Sequence, residues 1–316
     1  MRQETTSLHP SAPNFLADET IVQGFLLALR ASGRAEKTID TYTSALAILR
    51  RFCDEQGMPE LPVLSTEHLR EFFNDLYRRG NKPASVSVRY RGLQQFYKWL
   101  VAEGERQDNP VARIPAPRVP ETLQPHYSEE DLRCVLGKIA PTSRDPLVLR
   151  NRAVVLTLFD TGLRGNELCG LRSEDLDLRD LSLLVTRGKA GKERRVGIGP
   201  VTAQAVERYH RRRKPSPWMF AAVGGGPLSP NGLRLLLERL FKVAGVSFRG
   251  VHAFRRGFAI TFLDAGGDPE DLRTLAGWDS PQMLRRYTKA TETTRALKAH
   301  RRFSPVERLR AGPGSN

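Results

Sequence analysis

Apolar residues recur at intervals of three and four through the first third of the chain, from about residue 19 to residue 105. That spacing places them on one face of an α-helix, because the helix turns once in about 3.6 residues. Short polar stretches separate four such stripes, which predicts a small helical bundle. The stripes run through Ile21, Phe25 and Leu29, then Ile39, Tyr42, Leu46, Leu49 and Cys53, then Leu69, Phe72, Phe73 and Leu76, and last Val86, Tyr90, Leu93, Tyr97 and Leu100.

The pattern changes over residues 107–126, which are poor in apolar residues and carry Pro110, Pro115, Pro117, Pro120 and Pro125. Proline lacks a backbone donor and resists helix, so this stretch is predicted to be an extended linker. It separates a helical domain at 18–106 from a second domain at 127–303. Residues 1–17 and 304–316 are predicted to be tails.

The second domain mixes helical patterns with two short runs that suit strands. A buried helix is predicted over 153–159, ending at Gly162, and further helices begin at Ser128, at Ser229-Pro230 and at Asp268-Pro269. The runs 183–187 and 194–198 predict a small antiparallel hairpin, joined by a loop with two glycines. The predicted fold class is therefore mainly α (α+β), with a small antiparallel β-sheet in the second domain.

The net charge of the chain then indicates what kind of partner it binds. The chain has 316 residues, with 50 Lys and Arg against 35 Asp and Glu, a formal net charge of +15. Such a surplus suits a polyanionic partner, of which nucleic acid is the commonest. Cys53, Cys134 and Cys169 show no paired spacing, which fits a reducing cytoplasm and argues against disulfides or a zinc knuckle. No signal peptide and no apolar run of the ~20 residues a membrane span needs is present.

Two motifs in the second domain carry candidate chemistry. Thr161-Gly162-Leu163-Arg164 follows the buried helix, and Glu167 comes three residues after Arg164. An arginine fixed at a tight turn can grip two phosphate oxygens, and a nearby carboxylate can hold its guanidinium in place. In the hairpin loop, Gly188-Lys189-Ala190-Gly191-Lys192-Glu193-Arg194 places lysines where they could enter a DNA groove.

A third motif lies between Gly250 and Ala290. His252 and Arg255 are three apart at the start of a predicted helix and therefore share a face. Trp278 follows a predicted helix end, and Tyr287 comes after Ser280-Pro281. His210 and Arg213 form a second His-x-x-Arg, which lacks these companions and is not favoured.

Together these motifs resemble the tyrosine recombinases, the phage-integrase and Xer-type family. The resemblance implies an N-terminal four-helix SAM-like core-binding domain and a C-terminal catalytic domain. It also assigns roles to residues at the matching positions. Tyr287 is the nucleophile that forms a 3′-phosphotyrosine, Lys189 is the general acid with Lys192 as its rival, and Glu167 supports the site. The remaining catalytic positions are Arg164, His252, Arg255 and Trp278.

The same resemblance implies a reaction without metal or other cofactor, since two arginines and a histidine would neutralise the phosphate charge. The expected partner is double-stranded DNA carrying a specific recombination site. The expected assembly is a homo-tetramer on DNA and a monomer or weak oligomer when free. A partner recombinase or accessory protein is a further possible partner. Candidate DNA-binding residues are Lys37, Lys82, Arg89, Arg91 and Lys98 in the first domain and Lys192 in the hairpin.

Two residues depart from the usual family pattern. Trp278 stands where histidine is more common, and an indole can donate a hydrogen bond but cannot shuttle a proton. Arg256 stands where a second histidine often follows the arginine. Two alternatives also stay open at this point: a catalytically silent DNA-binding protein of the same fold, and a type IB topoisomerase.

Overall fold

The computed structural model describes residues 15–120, 124–186, 193–278, 280–304 and 306, and divides the chain into two compact units, 1–121 and 122–316. Its helices and strands confirm the mainly helical fold class with a small antiparallel sheet. In chain order the elements are α1 Phe15–Ala31, α2 Glu36–Gln56, α3 Thr66–Arg78, α4 Pro83–Ala102, α5 Glu129–Gly137, α6 Pro146–Thr161, α7 Gly165–Gly170, β1 Leu176–Asp177, β2 Ser182–Val185, β3 Arg194–Gly197, α8 Pro200–Arg212, α9 Pro230–Val243, α10 His252–Asp264, α11 Pro269–Ala276 and α12 Pro281–Phe303.

The first unit contains the four helices that the apolar stripes predict. Local chemistry fixes their ends: Ser65 and His68 cap the start of α3 reciprocally, Pro83 opens α4, and Gly57 ends α2 in the left-handed conformation. The stripes bury against one another in a single aromatic-rich core that includes Phe72 and Phe96. Burial of this apolar area supplies the main stabilisation of the unit.

The first part of the predicted linker is helical and packed rather than extended. Pro110–Arg113 forms a 3₁₀ helix, because Asn109 caps it and proline suits its first position. Val111 is fully buried in the core of the first unit, and Thr66 donates a hydrogen bond to the Pro110 carbonyl at 3.1 Å. An apolar residue among the prolines therefore docks the first part of 107–126 onto the bundle.

The core of the second unit lies around α6, which packs against α8 and α10. Its sheet has the order β1-β2-β3, with antiparallel pairing in which Leu183 faces Val196 and Val185 faces Arg194. The two predicted strands are present as β2 and β3, while the short β1 was not predicted. The hairpin residues 187–192, which include Lys189 and Lys192, lie outside the described residues.

The last helix, α12, runs without interruption from Pro281 to Phe303 and carries Tyr287 in its second turn. Ser280 caps its start by accepting from Gln282 N–H, and Pro281 fits its first turn. Near its other end, Lys298 Nζ donates to the Asp264 carbonyl of α10 at 2.9 Å.

Among the described residues, the helices are all too short or too polar to cross a bilayer.

Gly162 joins α6 to the first arginine motif and has little tolerance for a side chain. It ends α6 with φ of 60°, in the left-handed region that favours glycine. A Cβ atom there would also run into the Phe258 ring. The close packing of α10 on this turn therefore requires glycine for two separate reasons.

We expect Gly162→Ala to lower the free energy of unfolding by about 3 kcal/mol, since backbone strain and overpacking add. Gly245→Ala is the matched control, because Gly245 has φ of 70° and a Cβ atom there would meet nothing within 4 Å. That control should lose about 1 kcal/mol from strain alone. Urea unfolding of both variants measures the difference, and equal losses would contradict the packing argument.

Candidate active site

In the first arginine motif, Glu167 accepts two hydrogen bonds from Arg164 at the start of α7. Glu167 Oε2 accepts from the Arg164 backbone N–H at 2.8 Å, and Glu167 Oε1 accepts from Arg164 Nη1, also at 2.8 Å. The Glu167 side chain is 3% exposed, whereas that of Arg164 is 30% exposed. The carboxylate is thus buried beneath a guanidinium that still reaches solvent.

Arg194, at the start of β3, is a second partner of the same carboxylate that the sequence interpretation missed. Its Nη1 and Nη2 donate to Glu167 Oε1 and Oε2 at 3.0 and 2.9 Å, a bidentate pair. Its Nε donates to the Leu275 carbonyl near the end of α11 at 3.1 Å. One indication was available in the sequence: strand alternation puts Arg194 on the same face as the buried Val196.

These contacts determine the ionisation of Glu167. Burial alone would raise its pKa, but hydrogen bonds from Arg194 and Arg164, together with their charges, lower the pKa to about 2. The carboxylate is therefore ionised at neutral pH, and it can hold both guanidiniums.

Arg255 lies in the first turn of α10 and is only 5% exposed. Its Nη1 donates to the Gly162 carbonyl at 2.8 Å, and its Nη2 donates to the Ala276 carbonyl at 2.5 Å. Burial and the positive charge of Arg164 lower its pKa to about 10, so it remains charged at neutral pH. These two carbonyls end α6 and α11, so Arg255 ties both helix ends to α10.

His252 lies one turn before Arg255 on the same face of α10. Partial burial, followed by the charges of Arg256, Arg255 and Arg164, lowers its pKa below the ordinary histidine value. The ring is therefore mainly neutral at neutral pH and able to accept a proton. Arg256, the departure from the family pattern, instead donates to the Pro125 carbonyl at 2.7 Å.

Trp278 and Tyr287 stack face to face beside Arg255. Their ring centroids are 4.9 Å apart with planes inclined by 2°, and the Arg255 guanidinium lies 5.3 Å from the indole centroid. Both aromatic residues are buried, at 3% and 8% exposure. The Trp278 Nε1–H is buried without a hydrogen-bond partner among the residues that the structure describes. It is thus a donor available to an acceptor brought into the site.

The second His-x-x-Arg pair serves a structural role away from these residues. His210 Nε2 lies 3.0 Å from the Met219 carbonyl, and Arg213 packs over the Tyr209 ring and donates to Ser173 Oγ at 2.8 Å. Both side chains of this pair are thus engaged in contacts within the fold.

The candidate DNA-binding residues of the first unit do not share one face. Lys37, Lys82, Arg91 and Lys98 are exposed. Arg89 is partly buried, with Nε and Nη1 unpartnered among the described atoms. Residues two apart in a helix point about 200° apart, so Arg89 and Arg91 project from opposite sides of α4. Lys82 lies near the side of Arg89, and Lys98 lies on the side of Arg91.

The site therefore combines a tyrosine, an indole donor and guanidiniums anchored to helix ends and to one carboxylate. Arg164, Arg194 and Arg255 carry three positive charges against the single charge of Glu167. The excess positive charge suits a phosphate group, whose non-bridging oxygens accept hydrogen bonds from guanidinium and indole donors. A site of this kind can support nucleophilic attack by a tyrosine on a phosphodiester.

Comparison with known proteins identifies the family. Residues 134–294 match the Phage integrase family, and residues 21–104 match the Phage integrase N-terminal SAM-like domain. Tyrosine recombinase XerC of Xanthomonas campestris pv. campestris (strain B100) is 32% identical over 279 residues, covering 86% of this chain and 85% of that protein. This is a protein of the tyrosine recombinase class, and the chain belongs to the phage integrase family.

Solved structures show the same fold at lower identity. XerH site-specific recombinase, in a post-cleavage complex with a palindromic difH substrate, aligns with a TM-score of 0.72 and 20% identity, covering 90% of this chain and 84% of that one. A lambda integrase tetramer bound to a Holliday junction aligns with a TM-score of 0.67 and 20% identity, covering 83% and 77%. With the family established, the protein is a site-specific recombinase, in preference to a silent DNA-binding protein or a type IB topoisomerase.

We expect Glu167→Gln to lower the free energy of unfolding by about 3 kcal/mol at pH 7, because two buried or partly buried guanidiniums lose their counter-charge. The pKa of Glu167 is depressed in the folded protein, so its contribution is present above about pH 4.5 and is lost as the pH falls toward 2. The stability difference between the variant and the wild type should therefore shrink on acidification.

Glu174→Gln is the matched control, since Glu174 pairs with Arg172 on the surface and is 77% exposed. Exposed pairs contribute little, so this variant should change stability by less than about 0.5 kcal/mol. Urea unfolding at neutral and acidic pH measures both. A loss for Glu167→Gln that is as small as that of the control would contradict a buried ionic centre.

Proposed function

We propose that the chain cuts and rejoins double-stranded DNA at a specific site through a covalent 3′-phosphotyrosine at Tyr287. The observation that carries this proposal is the stack of Tyr287 on Trp278, beside the buried guanidinium of Arg255. Guanidinium and indole donors can hold a phosphate close to Tyr287, so that its phosphorus is the electrophile for the tyrosine oxygen.

In the first step, the Tyr287 oxygen attacks the scissile phosphorus, and the bond from phosphorus to the 5′ oxygen breaks. Arg164 and Arg255 neutralise charge that grows on the non-bridging oxygens. The Trp278 Nε1–H, which has no hydrogen-bond partner in the described part of the chain, donates to one of these oxygens. His252, with its lowered pKa, accepts the proton of the attacking hydroxyl. Lys189 protonates the departing 5′ oxygen.

In the second step, a 5′ hydroxyl from another strand attacks the phosphotyrosine and releases Tyr287. Each step exchanges one phosphoester for another, so the bond energy is conserved and no ATP is consumed. The proton movements reverse: the incoming hydroxyl gives its proton to Lys189, and the leaving phenolate recovers one.

We further propose that the protein works as a homo-tetramer on DNA and is a monomer or weak oligomer when free. A lambda integrase tetramer bound to a Holliday junction and XerH bound to its difH substrate share this fold, which supports the proposal. The net charge of +15 supports binding to duplex DNA. Among the described residues, Cys134 and Cys169 are free thiols, which supports a reducing compartment such as the cytoplasm.

The test uses a nicked suicide duplex carrying the sequence that the protein selects from a randomised DNA pool. Wild-type protein should form a covalent protein–DNA adduct that depends on this sequence. Tyr287→Phe should form none, because the attacking oxygen is gone, while DNA binding persists. Denaturing electrophoresis measures the adduct.

Tyr77→Phe provides the control, since Tyr77 is an exposed tyrosine in α3 whose hydroxyl has no role in the proposal. It should form the adduct at the wild-type rate. An adduct retained by Tyr287→Phe would reject Tyr287 as the nucleophile, and an adduct indifferent to sequence would favour topoisomerase-like activity.

A further inference from the structure

We propose that Arg194 is a positioning residue for strand cleavage: through Glu167 it holds Arg164 in the orientation that grips the scissile phosphate. This inference rests on the proposed function above. Arg194 itself is 13% exposed and has its donors directed into protein, so it is not placed to contact DNA in the way Arg164 is.

The first argument is that Arg194 uses all three of its guanidinium nitrogens. Two of them bind both oxygens of Glu167, and the third, Nε, binds the Leu275 carbonyl. The contact to Leu275 anchors the guanidinium, and its two contacts to Glu167 restrict rotation of the carboxylate. Glu167 Oε1 also accepts from Arg164 Nη1, so the orientation of that guanidinium follows from the orientation of the carboxylate.

The second argument concerns the end of α11. Its last two carbonyls, of Leu275 and Ala276, accept from Arg194 and Arg255 respectively. The C-terminal carbonyls of a helix have no partner within the helix and carry partial negative charge, so they suit two cations. Trp278 follows two residues after Ala276, so the same pair of arginines sets the position of the indole.

The turn at Gly277 is built around the Arg194 side chain. Gly277 has φ of 63°, and a Cβ atom there would lie 3.0 Å from Arg194 Nε and 2.9 Å from its Cδ. Glycine therefore leaves the space through which the arginine stem passes. Arg194 thus connects three segments that are far apart in sequence: β3, the Arg164 turn and the end of α11.

Lysine could not replace this residue. An ammonium group is a compact charge, and it cannot bind both oxygens of a carboxylate in one plane while also reaching a third acceptor. Arg194→Lys keeps the positive charge and most of the apolar stem, so it isolates the geometry of the guanidinium from its charge.

The experiment measures single-turnover adduct formation on the nicked duplex described above. Arg194→Ala and Arg194→Lys should both cleave about 10- to 100-fold more slowly than the wild type, since a displaced catalytic group can cost that much. The dissociation constant for the duplex should change by less than about threefold, because Arg194 is not among the residues proposed to meet the phosphate.

Arg195→Ala is the matched control on the same strand. Arg195 is exposed, points to the other face of β3 and donates to Ser182 Oγ at 3.0 Å. It should cleave at close to the wild-type rate. Thermal unfolding of the full chain identifies any variant that fails to fold, and Arg194→Lys serves if Arg194→Ala does not fold.

Two further arms distinguish positioning through Glu167 from other roles. Arg194→Ala combined with Glu167→Gln should be no slower than the slower single variant, since both act in one chain of contacts. A duplex with a 5′-bridging sulfur at the scissile phosphate needs no proton donor, so it should restore cleavage to Lys189→Ala. It should not restore cleavage to Arg194→Ala.

Wild-type cleavage by Arg194→Lys, multiplicative losses in the double variant, or rescue of Arg194→Ala by sulfur would each overturn the proposal. If the wild type itself forms no adduct, the proposed function fails and this inference falls with it. A wild-type adduct together with unimpaired Arg194→Ala cleavage rejects the inference alone.

Discussion

The site depends on one buried carboxylate. Glu167 binds the guanidiniums of Arg164 and Arg194 at 2.8 to 3.0 Å while its own side chain is 3% exposed. Removing a carboxylate from water is costly unless its partners are well placed, and here hydrogen bonds from both arginines and from a backbone amide meet that condition. Arg164, Arg194 and Arg255 together carry more positive charge than Glu167 neutralises. The fold fixes the positions of their guanidiniums before a phosphate binds.

Helix ends supply the other fixed contacts. Arg255 binds the Gly162 carbonyl at the end of α6 and the Ala276 carbonyl at the end of α11, and Arg194 binds the neighbouring Leu275 carbonyl. Carbonyls that a helix leaves unpaired thus accept hydrogen bonds from buried guanidiniums. Because these groups are oriented by the fold, little reorganisation would be required when a phosphate binds, which is the condition for electrostatic catalysis.

Much of the fold follows from local sequence rules. The apolar stripes predicted the four helices of the first unit, and serine, proline and glycine at the expected positions marked helix ends in the second. Where the prediction failed, the cause is a non-local contact. Val111 docks part of the expected linker onto a core whose members begin as far back as Phe25.

The same distinction applies to the candidate site. Arg164, Glu167, His252 and Arg255 stand out because their partners are near in sequence or because the motif resembles a family. Arg194 does not, since its partners are Glu167 and Leu275, which no periodicity connects to β3. The opposed directions of Arg89 and Arg91 on α4 could be read from helix geometry, but the DNA-facing side could not.

The measurement that tests the ionic centre most directly is a ¹³C NMR titration of the Glu167 side-chain carboxyl, assigned by comparison with Glu167→Gln. The carboxyl should remain ionised as the pH is lowered through the normal glutamate range, with a pKa of about 2. A midpoint near the ordinary value of 4.5 in the folded protein would show that the two guanidiniums do not hold this carboxylate, and would contradict the account.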